Sequence, residues 1–239
     1  MSLLEFRDVT KRFGGLRAVG HMTFSLETGE ILGLIGPNGA GKTTIFNLIN
    51  GYDAPTEGRI FFKGDRIDGL KPHVVCTRGL ARTFQVVRPL ARLSVLENVM
   101  ASAFRRTHRR DAARAMALES TEFTEMQAWR DRTAGSLPLG MRKRLELARA
   151  LATKPEILLL DENFAGLNPS EVEATLQIVR KIHASGVTIL IIEHNMRVIM
   201  AISHRLLCIN YGELIAEGTP ESVAGDPRVI EAYLGVANA

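Results

Sequence analysis

An α/β fold with a mixed or parallel core sheet is predicted for this chain by three observations. Apolar runs at residues 31–35, 157–160, 187–192 and 205–209 alternate with segments of helical spacing, which is the rhythm of βαβ units. The first run empties into GPNGAGKTT at 36–44 and then into the apolar stretch 45–49, giving strand, glycine turn and helix in direct succession. Short strand patterns at 3–9, 22–26 and 59–63, the last following the turn Pro55-Thr56-Glu57-Gly58, predict a small antiparallel sheet beside that nucleus.

The remaining elements follow from changes of period. From residue 95 to about 134, Ala, Arg, Met, Glu and Leu recur at helical spacing with no β-rich run, so a helical insertion is expected over roughly 86–144. Another helix is expected over 142–151. Residues 1–85 and 145–239 are then the core of a single domain, with no internal repeat or low-complexity linker. A chain of 239 residues, 46% hydrophobic and 23% charged, can bury such a core.

Composition excludes several classes. The longest unbroken apolar runs fall far short of the ~18 residues needed to span a bilayer, and Glu5, Arg7 and Asp8 interrupt what would be the apolar core of a signal peptide. Cys76 and Cys208 sit in apolar surroundings, which predicts buried thiols in a reducing compartment rather than a disulfide. A net charge of +4 and the basic run Arg105, Arg106, Arg109, Arg110 and Arg114 raise the question of nucleic acid. Glu119, Glu122 and Glu125 follow at once and no aromatics interleave, so a solvated helical face is expected, with no nucleic-acid partner.

The chemistry is concentrated in a few positions. Gly36, Gly41, Lys42 and Thr43 satisfy G-x-x-x-x-G-K-[ST]. Glycines let backbone N–H groups close around phosphate oxygens, so Gly36, Pro37, Asn38, Gly39, Ala40, Gly41, Lys42, Thr43 and Thr44 are the expected phosphate cradle of a nucleotide. Lys42 is placed to neutralise the β/γ-phosphates and Thr43 to ligate Mg²⁺. Downstream, the run 157–160 ends in Asp161-Glu162, two carboxylates at the carboxyl end of a strand, where α/β sheets bind ligands. Asp161 suits a metal and Glu162 a base acting on water. His194, after the run 187–192, and Gln85, closing Ala81-Arg82-Thr83-Phe84, are ambiguous alone: a structural strand end, or a phosphate donor and a metal or water sensor. Phe13 on its own reads as core.

The order of these features resembles that of ATP-binding cassette (ABC) ATPases along nearly the whole chain: glycine loop, Gln85, helical segment, a glycine motif at 137–141, Asp161-Glu162, Ala165-Gly166-Leu167-Asn168-Pro169 and His194. The resemblance implies ATP and Mg²⁺ as ligands. It makes Phe13 the aromatic stacking on adenine, Gln85 the residue coupling nucleotide to permease, 165–169 a loop at a dimer interface and His194 a γ-phosphate switch. The family signature, typically LSGGQ, falls on Leu137-Pro138-Leu139-Gly140-Met141. Gly140 survives as a cofactor-binding residue, whereas Pro138 lacks a hydroxyl and an N–H and Met141 lacks an amide.

The text GPNGAGKTTIFNLINGY, ARTFQ, DENFAGLNPSE, IIEHNMRVIMAISHR and GTPESVAGDPRVIEAYLG is similar to an ATP-binding subunit of branched-chain amino acid importers. That likeness implies a peripheral protein on the cytoplasmic face of the membrane. Its implied partners are permease subunits, a second ATPase subunit, with a heterodimer favoured, and a periplasmic or extracellular solute-binding protein. A soluble cassette ATPase acting on nucleic acid or ribosomes would need a tandem cassette, a coiled-coil insertion or a basic channel, and none is visible. A P-loop kinase or GTPase offers no role for the signature remnant, AGLNP and His194 in that order.

Overall fold

The computed structural model describes residues 2–85 and 87–234. In chain order the first elements are β1 (Ser2–Phe13), β2 (Leu16–Glu27), β3 (Ile31–Ile35), α1 (Lys42–Ile49), β4 (Glu57–Phe62), β5 (Asp65–Arg66) and α2 (Pro72–Arg78). There follow β6 (Leu80–Arg82), α3 (Val95–Ala103), α4 (Arg110–Phe123), 3₁₀ turns at Gln127–Trp129 and Ala134–Ser136, α5 (Leu139–Leu151), β7 (Ile157–Asp161) and α6 (Pro169–Ala184). The chain continues through β8 (Thr188–Ile192), α7 (Met196–Ile202), β9 (Arg205–Asn210), β10 (Glu213–Gly218), α8 (Pro220–Ala224) and α9 (Pro227–Leu234). It divides into two compact units, residues up to 75 together with those from 188 onward, and residues 76–187.

In the first unit an antiparallel sheet runs β2-β1-β4-β5. β1 and β2 are longer than the alternation at 3–9 and 22–26 predicts, because they continue as a hairpin ribbon to the turn at Gly14, whose φ of 56° suits glycine. Phe6 and Phe24 sit opposite each other and stack at 4.5 Å, and Arg205 of β9 ties down the edge by donating to Glu30 (2.7 Å) and to the Ser25 carbonyl (2.6 Å). The second sheet of this unit has the order β10-β9-β3-β8, with β3 parallel to both β8 and β9 and only β10 antiparallel. Every residue of β3 and β8 is buried, as expected of parallel strands covered on both faces.

β10 went unread in the sequence. The turn that makes it is Tyr211-Gly212, with φ of 47° and 79°, a two-residue loop with both centres left-handed. Glycine at the second position was the available signal, but tyrosine at the first hid it.

In the second unit β6 and β7 are parallel, with Leu80 opposite Ile157 and Arg82 opposite Leu159. The helical layer forms as the Ala- and Met-rich spacing predicts: Val95, Val99, Ala113, Ala117, Leu145 and Ala148 meet in one buried cluster. Ser94 and Glu97 close a capping box at the start of α3. Asn98, fully buried beside it, accepts from Leu90 N–H and donates to the carbonyls of Leu90, Leu93 and Ser94, so the segment leading into α3 is fastened by one amide. Asn168 and Glu171 make a second capping box at α6, with Pro169 in its first turn.

Three expectations are corrected. Helix α5 starts at Leu139 rather than 142, since Pro138 can serve as its N-cap. Cys76 is half-buried and only Cys208 is buried. Phe13 is 45% exposed at the end of β1, because the hairpin carries it past the core, and the Lys11 ammonium lies 4.7 Å from its ring. Within the basic run, Arg106 does more than face solvent: it donates to the carbonyls of Thr153, Thr77 (2.8 Å) and Lys154 (3.1 Å). Among the described residues no helix is long and apolar enough to cross a membrane.

Candidate active site

The glycine loop occupies the turn between β3 and α1 in the first unit. Gly36, Gly39 and Gly41 have φ of 150°, 80° and 106°, and a Cβ on Gly41 would lie 2.4 Å from the Ala18 carbonyl oxygen. Only glycine fits there. Helix α1 starts from Gly41 with no side-chain cap, so the positive end of its backbone faces the loop without a capping side chain. Lys42 is only 6% exposed, and its ammonium donates to the carbonyls of Gly36 (2.6 Å) and Pro37 (2.8 Å). A buried cation held by two loop carbonyls, beside the positive end of a helix, fits a polyphosphate well. Two outside contacts brace the loop: Gly212 N–H donates to the Ala40 carbonyl at 2.9 Å, and Gly36 N–H donates to the Tyr233 hydroxyl of α9 at 2.8 Å. Phe13 and His194 are both exposed in this unit, and Thr43, at the start of α1, is exposed as well.

In the second unit the ARTFQ segment grips the end of β7 residue by residue. Arg82 pairs with Asp161 at 2.6 Å, both side chains buried. Thr83 Oγ1 accepts from Asp161 N–H at 3.2 Å and donates to Asn163 Oδ1. Gln85 Nε2 donates to Glu162 Oε2 at 2.6 Å. The predicted sensor and the predicted base are therefore in direct contact. Glu162 has a φ of 49°, a left-handed backbone uncommon for a residue with a side chain. Lys143 of α5 donates to the backbone carbonyls of both Glu162 (3.0 Å) and Gln85 (3.1 Å).

Sequence reasoning passed over Arg82, Thr83, Lys143, Asn163 and Tyr233. Alternation could have flagged Arg82, a charge within an otherwise apolar strand. Nothing local distinguishes the other four.

Gly140 has a structural reason within the unit: a Cβ there would meet Glu171 Oε1 at 2.5 Å, and Glu171 is fixed by its capping box. Met141 packs, half-buried, against the helical cluster, and Pro138 caps α5 without offering any side-chain hydrogen bond. The LPLGM motif thus presents fewer polar groups than a serine- and glutamine-bearing one would.

Among the described residues no cluster of three or more His, Cys, Asp or Glu is placed to hold a metal. Taken each within its own unit, the Thr43 hydroxyl and the Asp161 carboxylate, the latter paired with Arg82, are oxygen donors of the type Mg²⁺ takes.

A phosphate-binding glycine loop with a strand-end Asp-Glu pair defines a P-loop NTPase, and comparison narrows the class. Residues 19–165 match the family described as ABC transporter, and residues 213–239 match the branched-chain amino acid ATP-binding cassette transporter family. The chain is 40% identical to the high-affinity branched-chain amino acid transport ATP-binding protein BraF of Pseudomonas aeruginosa over 98% of each chain. It is 37% identical to the lipopolysaccharide export system ATP-binding protein LptB of Escherichia coli K12, again over 98% of each. A crystal structure of a nucleotide-free ATP-binding cassette from an ABC transporter superposes with a TM-score of 0.90 at 31% identity, covering 98% of this chain and 100% of the other. The chain belongs to the ABC transporter family and is one of its ATP-binding, ATP-hydrolysing subunits.

Proposed function

We propose that this subunit powers a membrane importer for branched-chain amino acids. The match of residues 213–239 to the branched-chain family carries the reading, because that segment lies outside the general cassette match at 19–165. It holds β10 and both terminal helices, including Tyr233, which accepts from the first N–H of the glycine loop. The subunit sits on the cytoplasmic face of the membrane, bound to permease subunits and to a second ATPase subunit, with a solute-binding protein on the far side. Export is the second reading, favoured by the likeness to LptB.

In the proposed site, Gly36 to Thr44 and the Lys42 ammonium hold the ATP phosphates, with Phe13 against the adenine. Thr43, Asp161 and Gln85 are the residues that would hold Mg²⁺, which would neutralise phosphate charge when bound. Glu162 accepts a proton from the attacking water as the new O–P bond forms and the bond to the β-phosphate oxygen breaks, leaving ADP and phosphate. Gln85, already on one Glu162 oxygen, orients the carboxylate, and His194 donates to the γ-phosphate. Gly140 lies toward the nucleotide of the opposing subunit.

Uptake of radiolabelled leucine, isoleucine and valine by cells with and without the gene tests the import reading. Loss of uptake in the deletion, restored by the parent gene but not by Lys42→Ala, is expected. Full uptake in the deletion, with no transporter of overlapping specificity expressed, would overturn it.

A further inference from the structure

Lys143 is 2% exposed, yet it carries a charge that neither the phosphate cradle nor the base-and-metal pair accounts for. Burying an ammonium is costly unless its donors are met. Here they are met by main-chain carbonyls of two residues distant in sequence: Glu162 O at 3.0 Å and Gln85 O at 3.1 Å. These two residues also meet through their side chains, Gln85 Nε2 to Glu162 Oε2 at 2.6 Å. The left-handed backbone at Glu162, φ 49°, is disfavoured for a residue with a Cβ and persists only where its surroundings hold it. Ala165 N–H, at 3.2 Å from the same Glu162 carbonyl, is one such contact, and the Lys143 ammonium is another. Glu146, one turn along α5 and also buried, is paired with Arg149, and burial pushes its carboxyl up.

We propose that Lys143 is a positioning residue: its ammonium clamps the left-handed backbone of Glu162 to that of Gln85 and so fixes the direction of the carboxylate that activates water. The inference rests on the reading of Glu162 as the base. Methionine at 143 would match the length of the side chain while removing every donor, and arginine would restore charge and donors.

The test uses the full-length chain as parent, Lys143→Met, Lys143→Arg and Glu162→Gln. Hydrogen–deuterium exchange reads the backbone directly, without a partner subunit or turnover. In Lys143→Met, amides across 161–166 should exchange at least fivefold faster while those of α3 and α4 stay unchanged, and Lys143→Arg should return toward the parent. Single-turnover ATP hydrolysis with protein in excess should be about tenfold slower in Lys143→Met, with MgATP affinity within twofold of the parent. If Lys143→Met fails to fold, Lys143→Gln, which keeps one donor group, should show the same local effect at smaller amplitude. Exchange and rate both unchanged would overturn the proposal, and so would exchange raised throughout 76–187, the mark of a packing residue. Parental turnover in Glu162→Gln would instead remove the base assignment, leaving the exchange data to judge the clamp.

Discussion

Lys42 illustrates how a single residue can be prepared for a ligand. Its charge is turned into its own loop, onto two carbonyls that any phosphate must outcompete. Lys42→Ala removes the only formal positive charge in the loop 36–44. The loss of charge-assisted hydrogen bonds worth about 3 kcal/mol should weaken MgATP binding roughly a hundredfold. Isothermal titration would show it, and parental affinity in the variant would contradict the assignment of the loop. Glu162→Gln should separate binding from chemistry. Its amide retains the shape and the contact region of Gln85 but cannot accept the water's proton, so kcat should fall about 10²–10⁴-fold with nucleotide affinity kept. Both residues stand out in the sequence because their motifs have fixed spacing along the chain. Lys143 does not, since its partners lie 58 and 19 residues away and a lysine on a charged helix reads as solvated. Phe13 misled in the opposite sense: aromaticity suggests burial, and a hairpin extension places it in the open.

Elements whose identity depends on period emerged from the sequence with small errors at their ends, whereas elements defined by turns did not. β3, β7, β8 and β9 lie where the apolar runs predict, because strands buried on both faces leave an unbroken signature. The short β5 offers no such pattern; it exists through its contacts at the turn with β4. There Asp68, with its side chain only 4% exposed, accepts from Ile60 N–H at 2.9 Å and from Arg66 at 2.7 and 2.8 Å. Burial alone would raise the Asp68 carboxyl, but these bonds and the Arg66 charge outweigh it and hold the group below the usual carboxylate range. A depressed folded-state value means a contribution fully present above the unfolded value near ~3.9 and lost as pH falls through the folded one. Asp68→Asn should therefore lower stability by about 1–2 kcal/mol at pH 7 and by much less at pH 2–3. Urea melts at the two pH values would check this, and an equal loss at both would show that the carboxylate charge is not what matters.

At the scale of the whole molecule, the alternation of strands and helices conveyed the fold class, but one chain's sequence says little about how two such subunits share their work. The cradle, Asp161, Glu162 and His194 are present, while the LPLGM motif offers Pro138 without hydroxyl or N–H and Met141 committed to the helical cluster. If each subunit's signature serves its partner's nucleotide, a partner ATPase with a polar signature completes one competent site with this chain's cradle, and the reciprocal site is impaired. A preorganised donor to a transition-state oxygen is worth ~3 kcal/mol, or roughly a hundredfold in rate. A homodimer would contain two impaired sites, which is why a heterodimer is the expected working form. The purified chain should consequently hydrolyse ATP slowly even at concentrations that drive dimerisation, and Pro138→Ser combined with Met141→Gln should accelerate it. Pro138 and its replacement can both cap α5, and Met141 is only half-buried, so the fold should tolerate the exchange. Steady-state ATPase rates across a protein concentration series decide the matter: brisk turnover by the unaltered chain alone, indifferent to the double substitution, would show that the degenerate signature imposes no asymmetry.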